Sequence, residues 1–265
     1  MEVSNMARPF HRSLGDALLP WLVPVILLAL WQAAAQLGWI STRIAPSPTA
    51  VVEAAWRVIR SGELFANLWA SFVRAAIGFL IGGSIGLSLG LLTGGSRILE
   101  KLLDTSVQML RNVPHLSMIP LVILWFGIDE AGKLFLVALG TMFPIYVNTF
   151  HGIRSVDAGL VEMGRSYGLT RWELFVKVIL PGALPSILVG VRYSLGFMWL
   201  TLIVAETIAA PSGIGFMANN AREFMQTDVV VLAILLYALL GKLADTLARA
   251  LERRWLRWNS GFKPA

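Results

Sequence analysis

The sequence predicts an all-α membrane protein with six transmembrane helices, and three observations lead to that class. Hydrophobic residues make up 56% of the 265 and charged residues 14%, well under the roughly 25% with which a soluble domain wets its surface. Uncharged runs approaching the ~20 residues that a helix needs to cross a hydrocarbon core recur along the chain. Period-2 alternation is missing, and an open sheet edge cannot sit in lipid. The hydrophobicity excludes a disordered chain, and the absence of cysteine excludes a disulfide scaffold.

After a tail over 1–17, Leu18 to Leu37 carries no Asp, Glu, Lys or Arg and forms the first span, 18–38. Basic residues before it and Ala33-Ala34-Ala35 behind it imitate a cleaved signal. The uncharged stretch is longer than a signal's apolar region, which favours a retained helix. Residues 39–66 form an outer segment opened by Pro46-Ser47-Pro48. Within it Val51, Val52, Ala55, Trp56 and Ile59 fall at helical spacing, the pattern of an amphipathic helix lying on the membrane surface.

Ala75 to Ser96 is the second span. Gly78, Gly82, Gly86, Gly90 and Gly94 recur every fourth residue and leave a smooth strip against which a neighbouring backbone can lie. Packing within one subunit is the plainer expectation; sliding or facing a second subunit is the other. Gly82-Gly83-Ser84-Ile85-Gly86 also spells the G-x-S-x-G pattern of serine hydrolases. That pattern needs a strand, a sharp turn and a helix, with an acid and one of His11, His115 or His151 converging on the serine. An intramembrane serine hydrolase is therefore the alternative from a different class.

Asn112 to Ile128 and Leu134 to Phe150 are shorter uncharged runs, parted by the hydrophilic patch Asp129-Glu130-Ala131-Gly132-Lys133. The third span is interrupted by Pro114 and Pro120 and opens with Arg111, Asn112 and His115. Proline removes an amide donor and kinks a helix, and irregular backbone at membrane depth is tolerated where it lines a cavity. Leu184 to Ala210 and Val229 to Leu247 complete the set, ahead of a tail over 250–265. Ionisable groups inside spans are costly and mark a pathway or a paired contact. Arg111, Asn112 and His115, with Arg192 and Glu206 of the fifth span, are accordingly candidates for a translocation route with a positive bias suited to an anion. The plainer alternatives are an Arg111 that snorkels to the interface and a structural hydrogen bond at Glu206. His115 has no second His or Cys at helical spacing, so neither a metal nor a cofactor is expected.

Six spans place both termini on one side. With that side cytoplasmic, the inner segments hold thirteen Lys and Arg: Arg8, Arg12, Arg97, Lys101, Arg154, Arg165, Arg171, Lys177, Arg249, Arg253, Arg254, Arg257 and Lys263. The outer segments hold five: Arg43, Arg57, Arg60, Lys133 and Arg222. That asymmetry predicts an N-in, C-in orientation and accounts for the net charge of +6, so no nucleic-acid partner is needed to explain it.

Between the fourth and fifth spans, Asp157 has the residue type of an N-cap, and Leu160, Gly164 and Tyr167 share a face of the short helix that follows. Gly168 stops it, Thr170 and Glu173 have capping-box spacing for a second helix with an apolar face of Leu174, Phe175 and Val178, and Pro181 ends that one. Two short helices joined by a bend and rimmed by Arg165, Arg171 and Lys177 suit a groove on a soluble partner.

Glu162-Met163-Gly164, Gly168 after three intervening residues, and Val178-Ile179-Leu180-Pro181 after nine more resemble the EAA loop of binding-protein-dependent ABC importer permeases. Met163 and Gly164 stand where that family usually has Ala, and Val178 where it usually has Ile. The segments Leu110–His115, Ile123–Glu130, Phe143–Thr149, Trp199–Glu206 and Ala221–Asp228 are similar to the nitrate/sulfonate/taurine branch, and within it to the aliphatic sulfonate permeases.

The resemblance implies a type I ABC importer permease fold over 67–249 with a coupling loop at 151–181, in the bacterial inner membrane. It implies a periplasmic substrate-binding protein, a homodimer of this chain, and two ATPase subunits that dock on the elbow. Glu162 and Gly168 would then lie at the coupling contact, with Gly164, Arg171, Leu180 and Pro181 around them. The chain has no G-x-x-x-x-G-K-[ST] phosphate loop, so ATP would be hydrolysed by the partner. Taurine, nitrate and a pyrimidine precursor are alternative cargoes of such a permease. An ion-coupled secondary transporter would instead need inverted repeats, of which the sequence gives no clear trace.

Overall fold

The computed structural model describes residues 14–41 and 44–258, and every element in them is helical. Arg8, His11, Arg12, Arg43 and Lys263, with residues 1–13 and 259–265 of the expected tails, lie outside the described residues. The α-helices are α1 (Leu14–Gln36), α2 (Pro48–Arg60), α3 (Glu63–Gly95), α4 (Arg97–Arg111), α5 (Ile119–Phe126), α6 (Glu130–Arg154), α7 (Ala158–Ser166), α8 (Arg171–Leu174), α9 (Leu180–Ala209), α10 (Ile214–Glu223) and α11 (Thr227–Trp255).

The centre of the bundle is the parallel pair α3 and α6. Gly78, Gly82, Gly86, Gly90 and Gly94 lie against α6 in order, facing Val137, Ala138 with Thr141, Met142, Thr149 and Ile153. The strip thus serves packing inside one subunit. A Cβ on Gly82 or Gly86 would collide with the α6 backbone itself, at the carbonyls of Ala138 and Met142. Neither can be relieved by a side-chain rotation. Gly86→Val should therefore destabilise the fold by about 3 kcal/mol, the upper range for overpacking. Gly95→Ala, where a Cβ meets nothing within 4 Å, should leave the thermal midpoint of the detergent-solubilised protein unchanged. Equal midpoints for the two variants would remove the strip from the packing account.

On its other side α6 runs antiparallel to α9, where Gly190 faces the Pro144 carbonyl and Gly152 faces that of Ala183. α11 runs antiparallel to α9 in turn. A buried cluster joins Trp199 and Leu202 of α9, Leu232, Ala233 and Tyr237 of α11, Ile214, Met217 and Ala221 of α10, and Val51, Ala54 and Val58 of α2.

α2 starts where expected, capped by the Ser47 hydroxyl with Pro48 in its first turn. Its buried stripe differs from the expected one. Val51, Ala54 and Val58 pack inward, while Val52 and Trp56 of the expected face remain exposed. Packing against α11, aided by an Arg57–Asp228 ion pair of 2.7 Å, sets the rotation of this helix.

The third span departs most from the sequence reading. α4, a 3₁₀ turn over His115–Met118 and α5 form a pair bent by 78°, beginning at Arg97. Arg97, Glu100, Lys101, Asp104 and Arg111 put charges through α4, so an uncharged window finds only the second half. Pro114 marks the bend, since it cannot continue a helix and keeps Val113 out of the α region. Pro120 makes no kink: it sits in the first turn of α5, where its missing amide has no partner to lose.

Among the described residues four single helices are long and apolar enough to cross a membrane, and the bent pair makes a fifth. The sixth expected span is α1. Its described apolar part, Leu22–Gln36, is by itself shorter than a full crossing.

Candidate functional site

Three polar constellations stand out against the apolar frame. The first is the elbow. Asp157 Oδ1 accepts the Gly159 amide at 2.6 Å and starts α7. At the far end Gly168 has φ +76°; its amide donates to the Arg165 carbonyl and the Leu169 amide to the Gly164 carbonyl, at 2.9 and 3.1 Å. This paired closure requires the left-handed conformation that glycine adopts without strain. Thr170 then opens α8 with the reciprocal bonds of a capping box to Glu173. The Lys177 ammonium, helped by Thr170, holds the Glu173 carboxyl below the usual carboxylate range.

The two arms meet at Gly164, where an added Cβ would lie 2.7 Å from Leu174 Cδ1 and 3.2 Å from Leu169 Cδ1. Leu174 is buried there. Leu160 and Tyr167, expected on the packing face of α7, are exposed instead. Together with Met163 and Trp172 they form an apolar tip beside the exposed Glu162, Arg165 and Arg171.

Pro181 does not end the second arm. α8 passes through a π turn at Phe175–Ile179 into α9, and Leu180 and Pro181 are the first two residues of that long helix. The wider turn accommodates a residue that can neither donate an amide nor tolerate the carbonyl four residues back. The elbow and α9 are consequently one continuous lever. A salt bridge from Arg154 to Glu100 ties the base of the elbow to α4.

The second constellation is a cavity of about 320 Å³ lined by Arg111, His115, Gly140, Phe143, Pro144, Val147, Asn148, Tyr193 and Phe197. His115 Nε2 lies 3.0 Å from Thr201 Oγ1. Arg111 and His115 thus share one space, with Asn148 and Tyr193, which sequence reading passed over. Asn112 is exposed and outside the lining, and Arg192 is elsewhere, paired with Asp245 of α11 at 2.7 Å.

The third constellation surrounds Glu206 at the bundle end opposite the elbow. Its carboxylate is fully buried and accepts from Ser71 Oγ at 2.7 and 2.9 Å, Arg74 Nη1 at 2.8 Å, the Gly215 amide at 3.1 Å and Tyr237 Oη at 3.0 Å. Arg74 also makes a two-pronged contact with Glu130 at 2.6 and 2.8 Å and donates to the Ser212 hydroxyl at 2.9 Å. Asn67 and Ser71 accept the Gly213 and Ile214 amides, both at 2.8 Å. The cluster therefore staples the segment leading into α10 onto α3. Opposite charges at positions 74 and 206, each inside an apolar stretch, were the available signal for this pair.

Ser84, the serine of the hydrolase-like pattern, lies in the middle of α3 and donates to the Leu80 carbonyl at 2.6 Å. It lies on no sharp turn, and no His converges on it among the described residues, so the pattern is a by-product of the glycine strip.

Bent intramembrane helices around a polar cavity, joined rigidly to a protruding elbow, define a membrane permease. Solved structures of similar fold are an amino acid ABC transporter, with TM-score 0.63 and 18% identity over 76% of this chain and 97% of that one, and the inward-facing MetNI methionine ABC transporter, with TM-score 0.55 and 20% identity over 74% and 96%. Residues 82–257 match the family described as binding-protein-dependent transport system inner membrane component. A relative from Escherichia coli (strain K12), named as an aliphatic sulfonates transport permease protein, SsuC, is 69% identical over 92% of both chains. The SsuC of Bacillus subtilis (strain 168) is 48% identical over 91% of this chain and 88% of its own, and the taurine transport system permease TauC of E. coli 36% over 88% and 87%.

The chain belongs to the binding-protein-dependent transport system inner membrane components. It is a multi-pass permease subunit of an ABC importer and not itself an enzyme.

Proposed function

We propose that this permease moves aliphatic sulfonates across the bacterial inner membrane into the cell. The observation that carries the cargo is the 69% identity, over 92% of both chains, to a relative named for aliphatic sulfonates, against 36% to the taurine permease. In this reading two copies of the chain form the route, a periplasmic protein delivers the anion, and two ATPase subunits seat on the elbows. Glu162, Gly164, Gly168, Arg171, Leu180 and Pro181 then belong to the coupling contact, within a loop over 151–181 of a transmembrane domain spanning 67–249. Both termini lie in the cytoplasm, with the tails 1–17 and 250–265, and the segment 39–66 faces the periplasm.

The Arg192–Asp245 pair supports a second copy. It sits within the apolar length of α9 and α11, yet its side chains are 39% and 28% exposed in the single chain. An ion pair so placed is not left facing hydrocarbon. A partner surface or a water-filled route must adjoin it.

Proteoliposomes holding the permease with its neighbouring ATPase and binding protein test the assignment. Alkanesulfonates should stimulate ATP turnover and accumulate inside, with taurine and nitrate at least tenfold weaker, a gap of about 1.4 kcal/mol. Stronger stimulation by taurine or nitrate would reassign the cargo. Accumulation without the ATPase would overturn the mechanism.

A further inference from the structure

We propose that the Arg111 cavity is a transit binding site for an alkanesulfonate, with the anionic head on Arg111 and the chain against Phe143, Val147 and Phe197. The inference rests on the cargo reading above and adds to it a place where the permease itself recognises the solute.

The first ground is charge. Among the described residues, Arg74 is matched with Glu206 and Glu130, Lys133 with Glu130, Arg192 with Asp245 and Arg154 with Glu100, while Lys242 of α11 is exposed, forms no ion pair and lines no part of this cavity. Among the described residues Arg111 has no carboxylate within ion-pair distance, and none of them that is acidic lines the cavity. A cation that lines a cavity between helices without a counter-charge suits an anion.

The second ground is the chemistry of the lining. A sulfonate stays ionised at every physiological pH and offers three acceptor oxygens, so its site needs donors and no base. The planar guanidinium presents paired N–H groups suited to such an oxyanion, and His115, Asn148 and Tyr193 add polar groups to the same lining. Phe143, Pro144, Val147 and Phe197 of the same lining offer apolar surface to an alkyl chain. One cation together with apolar surface in a single lining matches an alkanesulfonate, whereas the apolar surface is wasted on nitrate, which has no chain. Taurine would bring an ammonium group into a lining that has no carboxylate to receive it.

The third ground is room. Gly140 lets Thr201 and His115 approach α6 closely at the edge of the cavity, since a Cβ there would lie 2.7 Å from Thr201 Oγ1 and 3.3 Å from His115 Nε2. About 320 Å³ compares with about 30 Å³ for one water in the liquid, which leaves space for a small sulfonate with part of its hydration. A single unpaired cation also meets the requirement of a transport site, holding the ion firmly enough to admit it and weakly enough to release it.

The test uses the complete importer in proteoliposomes and measures uptake of methanesulfonate and octanesulfonate per assembled complex. Arg111→Ala should lower uptake of both by about tenfold, the loss of one charge-assisted contact, and Arg111→Lys should restore part of it. Phe197→Trp should lower octanesulfonate uptake several-fold more than methanesulfonate uptake, because it enlarges a ring of the apolar lining and leaves Arg111 in place. Wild-type uptake in Arg111→Ala, or an unchanged chain-length ratio in Phe197→Trp, would overturn the site while leaving the cargo reading intact. Should Arg111→Ala fail to assemble, the ratio in Phe197→Trp decides alone. A wild-type complex that moves no alkanesulfonate would overturn both.

Discussion

Arg74→Ala is expected to remove most of the folded permease from the membrane, with the largest stability loss of any single substitution on α3. Glu206 is buried to 1% exposure, and Arg74 is the cation that compensates it. Ser71, Tyr237 and the Gly215 amide donate to the same carboxylate, but none carries a charge. Breaking a buried pair by deleting one partner costs about 3–5 kcal/mol, because the survivor keeps its full desolvation penalty. Against a total stability of roughly 5–15 kcal/mol, that is enough to unfold a large fraction of the molecules. The Ser212 hydroxyl and Glu130 lose their Arg74 contacts in the same step.

The informative comparison is a double variant. Arg74→Met with Glu206→Gln removes both charges and leaves groups of similar size, so it should recover much of the yield and thermal midpoint that Arg74→Ala loses. Size-exclusion profiles in detergent and thermal unfolding read both quantities. A wild-type midpoint in Arg74→Ala, or a double variant as damaged as the single one, would show that charge compensation is not what holds this end of the bundle.

The pairing at 74 and 206 also marks where sequence reading reaches its limit. Each residue is visible as a charge in an apolar stretch, but 132 positions separate them, and only the packing of α3 against α9 brings them together. Local signals were far more readable. Asp157, the Thr170–Glu173 box and the positive φ at Gly168 are set within five residues of chain, and all three are found as spacing predicts them. The glycine strip was readable as a close-packing face, and its partner was not, because periodicity names a face and never the helix across from it.

Two misreadings have definite physical causes. α4 contains no uncharged window because it is amphipathic, and none of its residues is fully buried. Pro181 was read as a stop because proline breaks regular helices, whereas the chain changes its turn width ahead of it. Of the cavity, Arg111 and His115 stood out as polar residues in an apolar run. Asn148 and Tyr193 did not, since each is ordinary in its own helix and acquires meaning only from its neighbours across the bend.

The continuity of elbow and α9 gives the second large prediction, at Gly168. A Cβ there meets nothing within 4 Å, so any penalty is conformational: at φ +76° a β-branched residue is strained by about 1–2 kcal/mol. Relief of that strain rotates the peptide and breaks the Gly168–Arg165 and Leu169–Gly164 closures, which set the angle between α7 and α8. α8 has no loop behind it to absorb the change. It leads through the π turn into α9, which passes Tyr193 and Phe197 at the cavity and reaches Glu206 at the far end. Gly168→Val should therefore insert and assemble normally, hydrolyse ATP with its partner, and transport at least tenfold less solute per ATP. Gly168→Asn should be the mildest replacement and Gly168→Ala intermediate, because asparagine tolerates the left-handed region best among side-chain-bearing residues. The ratio of solute moved to ATP consumed reads this directly. A wild-type ratio in Gly168→Val would detach the elbow's angle from transport, and asparagine proving worse than valine would transfer the effect from backbone conformation to side-chain chemistry at the docking contact.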